Sequence, residues 1–292
     1  MSAAVKKILV LSLALILSFT LVGCAEGGLT QAEGGLTQEE IDQIVANAAT
    51  AIAEIDTGKA DLDMSMTMNM VGGAESVEMT AVGDGTGAVD KVDKEMHMIM
   101  NMDMDISGQG EQKYALEYYI VGGWMYMMME IPGQGEQWTK TELAETYDVW
   151  WLETGAEVQI KLLTTAIKVN YLGSEAVNGT DCYVFEVVPS MEVAGNLVSQ
   201  QLQFLGMDLG QFNPADLLKE ISAKQWIAKD SYLPMKAEVD ALLEIHPEDV
   251  GATEDDFEKM TIDMNIGGRY YDYNQPVDIT LPPEALNAPE MP

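Results

Sequence analysis

The chain has 292 residues, of which 15 are basic and 48 acidic, so its formal net charge is −33 at pH 7. This length suffices for one large β-rich domain with a sizeable core. A field of that sign repels nucleic acid and anionic lipid headgroups, which excludes both as partners of the protein surface. Cys24 and Cys182 are the only cysteines. Because Cys182 lies in an apolar strand pattern, we expect a buried thiol and a fold without a disulfide.

The first 23 residues have the layout of an export signal. Two lysines precede an almost continuous apolar run, residues 8–22, and Gly23 stands immediately before Cys24. This order is typical of a secretory signal peptide, and its ending, Leu-Val-Gly-Cys, resembles the bacterial lipobox. The resemblance implies cleavage before Cys24 and lipidation of that cysteine. We therefore expect a lipoprotein signal peptide over residues 1–23 and an extracytoplasmic protein that is anchored to the cell membrane by lipid. The alternative is an uncleaved anchor, although the run is shorter than the roughly 20 residues of a typical span.

A perfect tandem duplication follows Cys24. The heptapeptide Ala-Glu-Gly-Gly-Leu-Thr-Gln occupies residues 25–31 and again residues 32–38. Paired glycines among polar residues are typical of flexible linkers. We therefore predict that residues 24–38 are the lipidated cysteine and its tether, and that residues 39–292 form a single domain.

A helix is predicted at the start of this domain. Thr37 and Glu40 have the capping-box spacing that begins many helices. Apolar residues at spacings of three and four follow, which predicts an amphipathic helix that ends near residues 56–58. Its apolar face consists of Ile41, Ile44, Val45, Ala48, Ile52 and Ile55.

After this helix the apolar period changes to two, the spacing of β-strands. Residues 63–70, 77–82 and 95–104 alternate apolar with mostly polar side chains, as do the strands of an antiparallel sheet with one wet face. The second of these runs is expected to end at the glycine-rich residues 84–87. Strands over residues 112–121 and 124–131 are joined by two glycines, a hairpin signal.

The second half of the chain alternates helical and strand patterns. Helices are predicted over residues 141–163, 191–206 and 214–222. Strands are predicted over residues 166–175, 181–188, 223–230, 233–245, 259–273 and 276–281, with an Asn178-Gly179 turn between the first two. About ten strands and few helices predict an α+β fold with one strongly curved antiparallel sheet and helices on one face.

Methionines dominate the first strands, since fourteen of the 21 lie between residues 64 and 129. They could be a plain core, or the wall of an apolar ligand cavity, because unbranched and polarizable methionine adapts to varied partners. They could also be thioether ligands for Cu(I). Copper is disfavoured because His97 points to the opposite face of its strand from Met96 and Met98. The pattern alone does not decide between core and cavity.

The residues that would line such a cavity are strand methionines and leucines of the helix over residues 191–206. They are Met64, Met66, Met68, Met70, Met79, Met98, Met100, Met102, Met104, Leu197, Leu202 and Leu205. No nucleophile-elbow, zinc-protease or P-loop motif occurs in the sequence. Asp61, Asp63, Asp103 and Asp105 lie on the strand faces opposite the methionines, where we expect water rather than a pKa-shifting pocket. We therefore predict no enzymatic activity, no cofactor and no metal.

Two late segments resemble the LolA/LolB-like superfamily, which includes the LppX/LprG-type bacterial lipoproteins. Residues 226–236 (WIAKDSYLPMK) resemble its strand–turn–strand, and residues 271–279 with Pro282 resemble its closing strand. The order of the predicted elements agrees with the superfamily over residues 37–283.

The resemblance implies an open half-barrel whose concave apolar face is covered by helices. Members of the superfamily carry acyl chains of lipids or lipoproteins there, so the resemblance implies a hydrophobic ligand, an acyl chain or a lipid. Residues 191–222 would supply the covering helices and the methionines the inner wall. The arginine with which the lipoprotein carrier grips its cargo has no counterpart, since Arg269 is the only arginine. The alternative function is a non-carrier envelope lipoprotein, an interaction or sensing module with a solid core.

Overall fold

The structure of the protein is a computed structural model. It describes residues 35–72, 76–108, 110–131, 133, 135–143, 166, 168–196, 214–250, 253 and 257–290. Cys24, the predicted signal peptide and all but the last residues of the predicted tether lie outside the described residues, so their assignments stay predictions. In the part of the chain that is described, no helix is both long and apolar enough to cross a bilayer.

Eleven antiparallel strands form one open sheet in the order β6-β5-β4-β3-β2-β1-β11-β10-β9-β8-β7. The strands of its N-terminal half are β1 (Thr57–Val71), β2 (Val77–Asp90), β3 (Glu95–Ile106), β4 (Gly110–Val121), β5 (Trp124–Ile131) and β6 (Gly135–Glu142). The strands of its C-terminal half are β7 (Lys168–Val177), β8 (Thr180–Val188), β9 (Leu218–Ala228), β10 (Pro234–Ile245) and β11 (Lys259–Tyr271). Each half is a meander, and the two halves meet where β1 pairs with β11. The predicted large antiparallel sheet is therefore confirmed.

The sheet has one apolar and one largely polar face. Along β1, every second residue from Gly58 to Met70 is buried, and the residues between them are not. We call the face that carries the β1 methionines the inner face and the opposite face the outer face. Inner residues of both halves, among them Met66, Phe185 and Leu243, belong to one continuous hydrophobic core.

The first helix, α1 (Gln38–Ala53), begins with the predicted capping box. The Thr37 backbone N–H donates to Glu40 Oε2 at 2.8 Å, and the Glu40 N–H donates to Thr37 Oγ1 at 3.3 Å. These bonds satisfy two of the backbone donors that a helix start leaves unpaired. Ile41, Ile44 and Ala48 join the main core, so α1 packs with its predicted apolar side against the sheet.

Both predicted hairpin turns are confirmed. Gly122 and Gly123 connect β4 to β5 with φ values of 60° and 81°. Asn178 and Gly179 connect β7 to β8 with φ values of 50° and 84°. Two successive residues with positive φ match the twist of the flanking strands, which is why glycine and asparagine occupy these turns.

The predicted helix over residues 214–222 is wrong beyond its first turn. Helix forms over Pro214–Leu217, and β9 begins at Leu218. β9 pairs with β8 on one side and β10 on the other, and burial alternates along it from Ile221 to Gln225. Likewise, residues 141 and 142 belong to the end of β6, whereas residues 144–163 of the predicted helix lie outside the described residues.

The predicted closing strand over residues 276–281 does not form. Pro276, Pro282 and Pro283 lack the N–H that a ladder needs, and the segment has no regular structure until the short helix Pro283–Leu286. Beyond this helix, Lys140 of the β6 edge donates its N–H to the carbonyl of Pro289 at 2.9 Å. The C-terminal segment thus protects the β6 edge, which would otherwise expose unpaired backbone groups.

Only part of the predicted helical cover over the concave face falls in the described residues. Residues 191–196 are helical, as predicted, and residues 197–213 lie outside the described part of the chain. Leu197, Leu202 and Leu205 fall in that segment, so their assignment as cavity residues stays a prediction.

Candidate apolar ligand site

The predicted cavity methionines lie together on the inner face. Each of them is at most 7% exposed, and all of them belong to the main core. They form one stripe along β1, from Met64 to Met70, and a second along β3, from Met98 to Met104, with Met79 on β2 between them. The structure therefore brings together residues that are up to 40 positions apart in the sequence.

Two further methionines extend this wall on β11. Met264 lies directly opposite Met66, and Met260 lies opposite Met70. Directly opposed side chains on one face of an antiparallel pair are in contact range. Sequence reasoning missed these residues, although their alternation with Ile262 was visible, because the pairing of β1 with β11 spans almost the whole domain.

Small residues occupy the inner positions of β2 between the two methionine stripes. These positions, Ala81, Gly83, Gly85 and Gly87, are defined here as the glycine trough. Sequence reasoning missed this feature too, because it placed the end of the strand at residues 84–87, whereas β2 continues to Asp90. Glycine in a strand interior leaves the pleat without a side chain and marks a bend or a close approach.

The cross-strand register places methionines of β3 beside all four trough positions, whereas β1 presents methionines beside Ala81 and Gly83 and then Leu62 and Ala60 beside the last two glycines. Gly83 lies between Met64 of β1 and Met102 of β3. A Cβ built on Gly83 would lie 3.2 Å from the Cγ atoms of both methionines, so their side chains lean over this glycine. At Gly87, the nearest side-chain atom in the described residues is Met98 Cε at 3.9 Å, so this end of the trough is less filled.

Gly83 and Gly85 also lie close to the backbone of β3, since a Cβ on Gly83 would be 2.8 Å from the carbonyl oxygen of Asn101. A Cβ on Gly85 would collide with the backbone carbonyl oxygen of Ile99 on β3. The backbones of β2 and β3 therefore approach closely at the middle of the trough, and no side chain larger than hydrogen fits without a backbone shift. Such a glycine kink is one of the devices that curve a sheet.

The inner face of the N-terminal half carries no charge at the described positions of β1 to β5. Its polar groups are few and paired with one another. Tyr118 donates its hydroxyl to Met96 Sδ at 3.5 Å, and Tyr114 donates to Gln112 Oε1 at 2.7 Å. Burial raises the pKa of Tyr118 well above its ordinary value, so the phenol stays neutral. This face offers an apolar ligand contacts without an opposing charge.

The charged groups of β1 to β5, including Asp61, Asp63, Asp103 and Asp105, lie on the outer face. His97 Nε2 is 2.7 Å from Glu117 Oε1, and its ring stacks on Tyr119 with centroids 4.1 Å apart. Asp61 accepts a hydrogen bond from the Tyr271 hydroxyl at 2.9 Å. The imidazole thus does not share a face with the methionine sulfurs. In the described residues, no group of three histidine, cysteine or acidic side chains is placed to hold a metal ion.

Comparison with known proteins was made for family, sequence and structure. Residues 40–290 match the model of a family of unknown function, DUF6612. The chain belongs to this family. A search of curated protein sequences finds no match.

Similar crystal structures include two mycobacterial lipoproteins. The Mycobacterium tuberculosis lipoprotein LppX is 10% identical, with 84% of this chain and 100% of LppX covered and a TM-score of 0.38. LprF from Mycobacterium bovis is 13% identical, with 85% and 99% covered and a TM-score of 0.44. A DUF1329 family protein from Desulfovibrio piger is 12% identical, with 82% and 95% covered and a TM-score of 0.24. The matches thus include LppX, a member of the lipoprotein group that residues 226–236 and 271–279 resemble.

Proposed function

We propose that this protein is an extracytoplasmic lipoprotein, anchored through Cys24, that binds or carries an acyl chain or another lipid on its methionine-lined inner face. The observation that carries this proposal is the uncharged inner face of β1 to β3, on which methionines of β3 border the whole glycine trough and methionines of β1 border its first half. Branched side chains would pack such a sheet to one fixed shape. Methionine, with three rotatable bonds and a polarizable sulfur, re-forms around varied apolar partners.

Hydrophobic burial alone can supply a useful affinity at such a site. Burial of about ten methylene groups at roughly 0.8 kcal/mol each gives about 8 kcal/mol. This figure corresponds to a dissociation constant of about 1 μM before the costs of ordering the chain and the side chains are subtracted. A polar anchor such as the carrier arginine is therefore not required. The proposal includes no catalysis, no cofactor and no nucleic-acid partner.

The alternative is a non-carrier envelope protein, an interaction or sensing module with a solid core. The near-complete burial of the cavity methionines favours it, because a filled face needs no ligand. The two functions differ in what the purified protein retains.

The first test is native mass spectrometry of the full-length protein, expressed in a bacterium that processes lipoproteins and then exchanged out of detergent. Lipid on Cys24 is covalent and survives denaturation, whereas a carried lipid is released. The proposal predicts a lipid-sized mass that is present in the native spectrum and absent after denaturation. A bare polypeptide that also fails to take up added palmitate contradicts the proposal and favours the solid-core alternative.

The second test places a charge on the inner wall. Met100→Asp buries a carboxylate among methionines and should abolish palmitate retention, because an unpaired charge in an apolar site is strongly unfavourable. The matched control is Asn101→Asp, which adds the same carboxylate to the exposed outer face one residue away. Circular dichroism identifies variants that remain folded. A folded Met100→Asp protein with unchanged palmitate retention shows that the methionine wall is not the site.

A further inference from the structure

We propose that the glycine trough takes a single unbranched hydrocarbon chain, laid lengthwise along β2, and that the methionines beside it are its gate. This inference rests on the proposed hydrophobic-ligand function and adds the position, shape and entry of the ligand. It is carried by the small residues at successive inner positions of β2 and by the contacts that methionines make over them.

The trough is long and narrow. Neighbouring strands lie about 4.8 Å apart, so the backbones of β1 and β3 stand about 10 Å from each other on either side of β2. From Ala81 to Gly87 the strand rises by roughly 20 Å at about 3.4 Å per residue. Such a space has the proportions of one extended methylene chain. A fused-ring lipid such as a sterol is rigid and broader than one strand spacing, so it does not match.

When no ligand is bound, methionine side chains occupy this space. Met64 and Met102 lean over Gly83 from opposite sides, each with its Cγ 3.2 Å from where a Cβ would lie. Both residues are at most 5% exposed, which means that the trough is closed in this structure. A methionine can rotate about three side-chain bonds without a change in the backbone. The two side chains can therefore rotate away from Gly83 and contact a hydrocarbon chain instead.

The end of the trough at Gly87 is the place to block it. A Cβ at Gly87 meets no described atom closer than 3.9 Å, which is ordinary van der Waals contact, and its backbone does not have the positive φ that only glycine adopts readily. Gly87→Leu should therefore fold and place a branched side chain along the floor of the trough. Thr86→Leu is the matched control, because Thr86 is the exposed neighbour on the outer face of the same strand.

The experiment measures equilibrium binding of tritium-labelled palmitate and tritium-labelled cholesterol to the full-length protein and to both variants. The inference predicts that palmitate binds at least tenfold more tightly than cholesterol. It also predicts that Gly87→Leu weakens palmitate binding at least tenfold and that Thr86→Leu leaves it unchanged. If Gly87→Leu does not fold, Gly87→Ala adds only the Cβ that the structure accommodates and should weaken palmitate binding measurably.

The failures of the two proposals are distinguishable. If the protein binds palmitate but binds cholesterol as tightly, or if a folded Gly87→Leu binds palmitate normally, the trough is not the site and the hydrophobic-ligand function stands. If the unaltered protein binds neither lipid and carries none after purification, the proposed function fails and the trough inference fails with it.

Discussion

The two halves of the sheet bury their inner faces with different kinds of side chain. In the N-terminal half, β1 and β3 present methionines, and β2 presents glycine and alanine. In the C-terminal half, β8 to β11 present mostly branched aliphatic and aromatic residues, among them Phe185, Ile227, Val239 and Leu243. Buried and exposed side chains alternate along the strands of both halves, so the two halves differ in the rigidity of their buried side chains rather than in the pattern of burial. Side chains with few rotamers fix one packing arrangement, whereas methionine permits several.

The C-terminal half is also packed more thoroughly. Phe185 is fully buried, with its ring centroid 5.7 Å from that of Tyr171 and 6.3 Å from that of Tyr183. On the outer face of the same strands, Trp226 donates Nε1–H to Glu175 Oε2 at 2.8 Å and lies under the Lys236 ammonium at 4.3 Å. This half therefore has apolar packing on both faces, and we interpret it as the scaffold that holds the adaptable methionine half in register.

The prediction with the largest expected effect tests whether the side chains of the C-terminal half are packed more rigidly than the methionines of the N-terminal half. Phe185→Ala should lower the free energy of unfolding by about 3–5 kcal/mol, because rigid neighbours cannot close the cavity. Met100→Ala, at a position that is 1% exposed, should lie near the lower end of the range for buried methionine, about 2 kcal/mol, because adjacent methionines can fill the space. Urea unfolding of both variants measures the two costs. Equal losses of stability would show that the methionine half is as rigid as the scaffold.

A smaller effect is expected within the methionine half, at two glycines that are two residues apart. Gly85→Ala should cost about 1–3 kcal/mol of unfolding free energy, because its Cβ meets the Ile99 carbonyl and the backbone of β3 must move. Gly87→Ala has room for its Cβ and should be nearly neutral or slightly stabilising, through the less flexible unfolded chain. Thermal unfolding distinguishes the two variants. Similar melting temperatures would contradict the close approach of β2 and β3.

Much of the fold could be predicted from local signals. The capping box at Thr37, the period-two runs and the glycine and asparagine turns each depend on residues close in sequence. The errors arose where tertiary pairing overrode a local pattern. The local pattern of the β2 glycines indicates a strand end, whereas pairing with β1 and β3 places them in the interior of a strand. Leu218 was assigned to a helix, although β9 must lie between β8 and β10.

The sequence predicts which methionines of β1 and β3 share a face, but it does not predict which residues of β2 and β11 lie beside them. Alternation alone placed the methionines of β1 and β3 on one face, and burial confirms that they share it. The trough between them depends on which residues of β2 face Met64 and Met102, and that register is set by hairpins whose exact ends the sequence does not specify. Met260 and Met264 likewise required the pairing of the first strand with the last.

The smallest expected effect concerns the start of helix α1. Hydrogen bonds from the Thr37 backbone and hydroxyl hold the pKa of Glu40 below its ordinary value of 4.5. A carboxyl whose pKa is lowered by folding stabilises the native state above pH 4.5 and loses that contribution as the pH falls through its folded value. Glu40→Gln should therefore be less stable than the unaltered protein at pH 7, and the difference should shrink as the pH falls below 4.5.

Glu39→Gln is the control for this prediction, since it removes the same charge from the first turn and keeps the hydrogen bonds between Thr37 and Glu40. Urea unfolding at several pH values should show the convergence for Glu40→Gln more strongly than for Glu39→Gln. Glu40 is exposed in the first turn of α1, and its described hydrogen bonds are with Thr37. Palmitate binding should therefore be unchanged in Glu40→Gln at pH 7. A loss of binding there would mean that α1 belongs to the ligand site, and the division into scaffold and adaptable half would have to be redrawn.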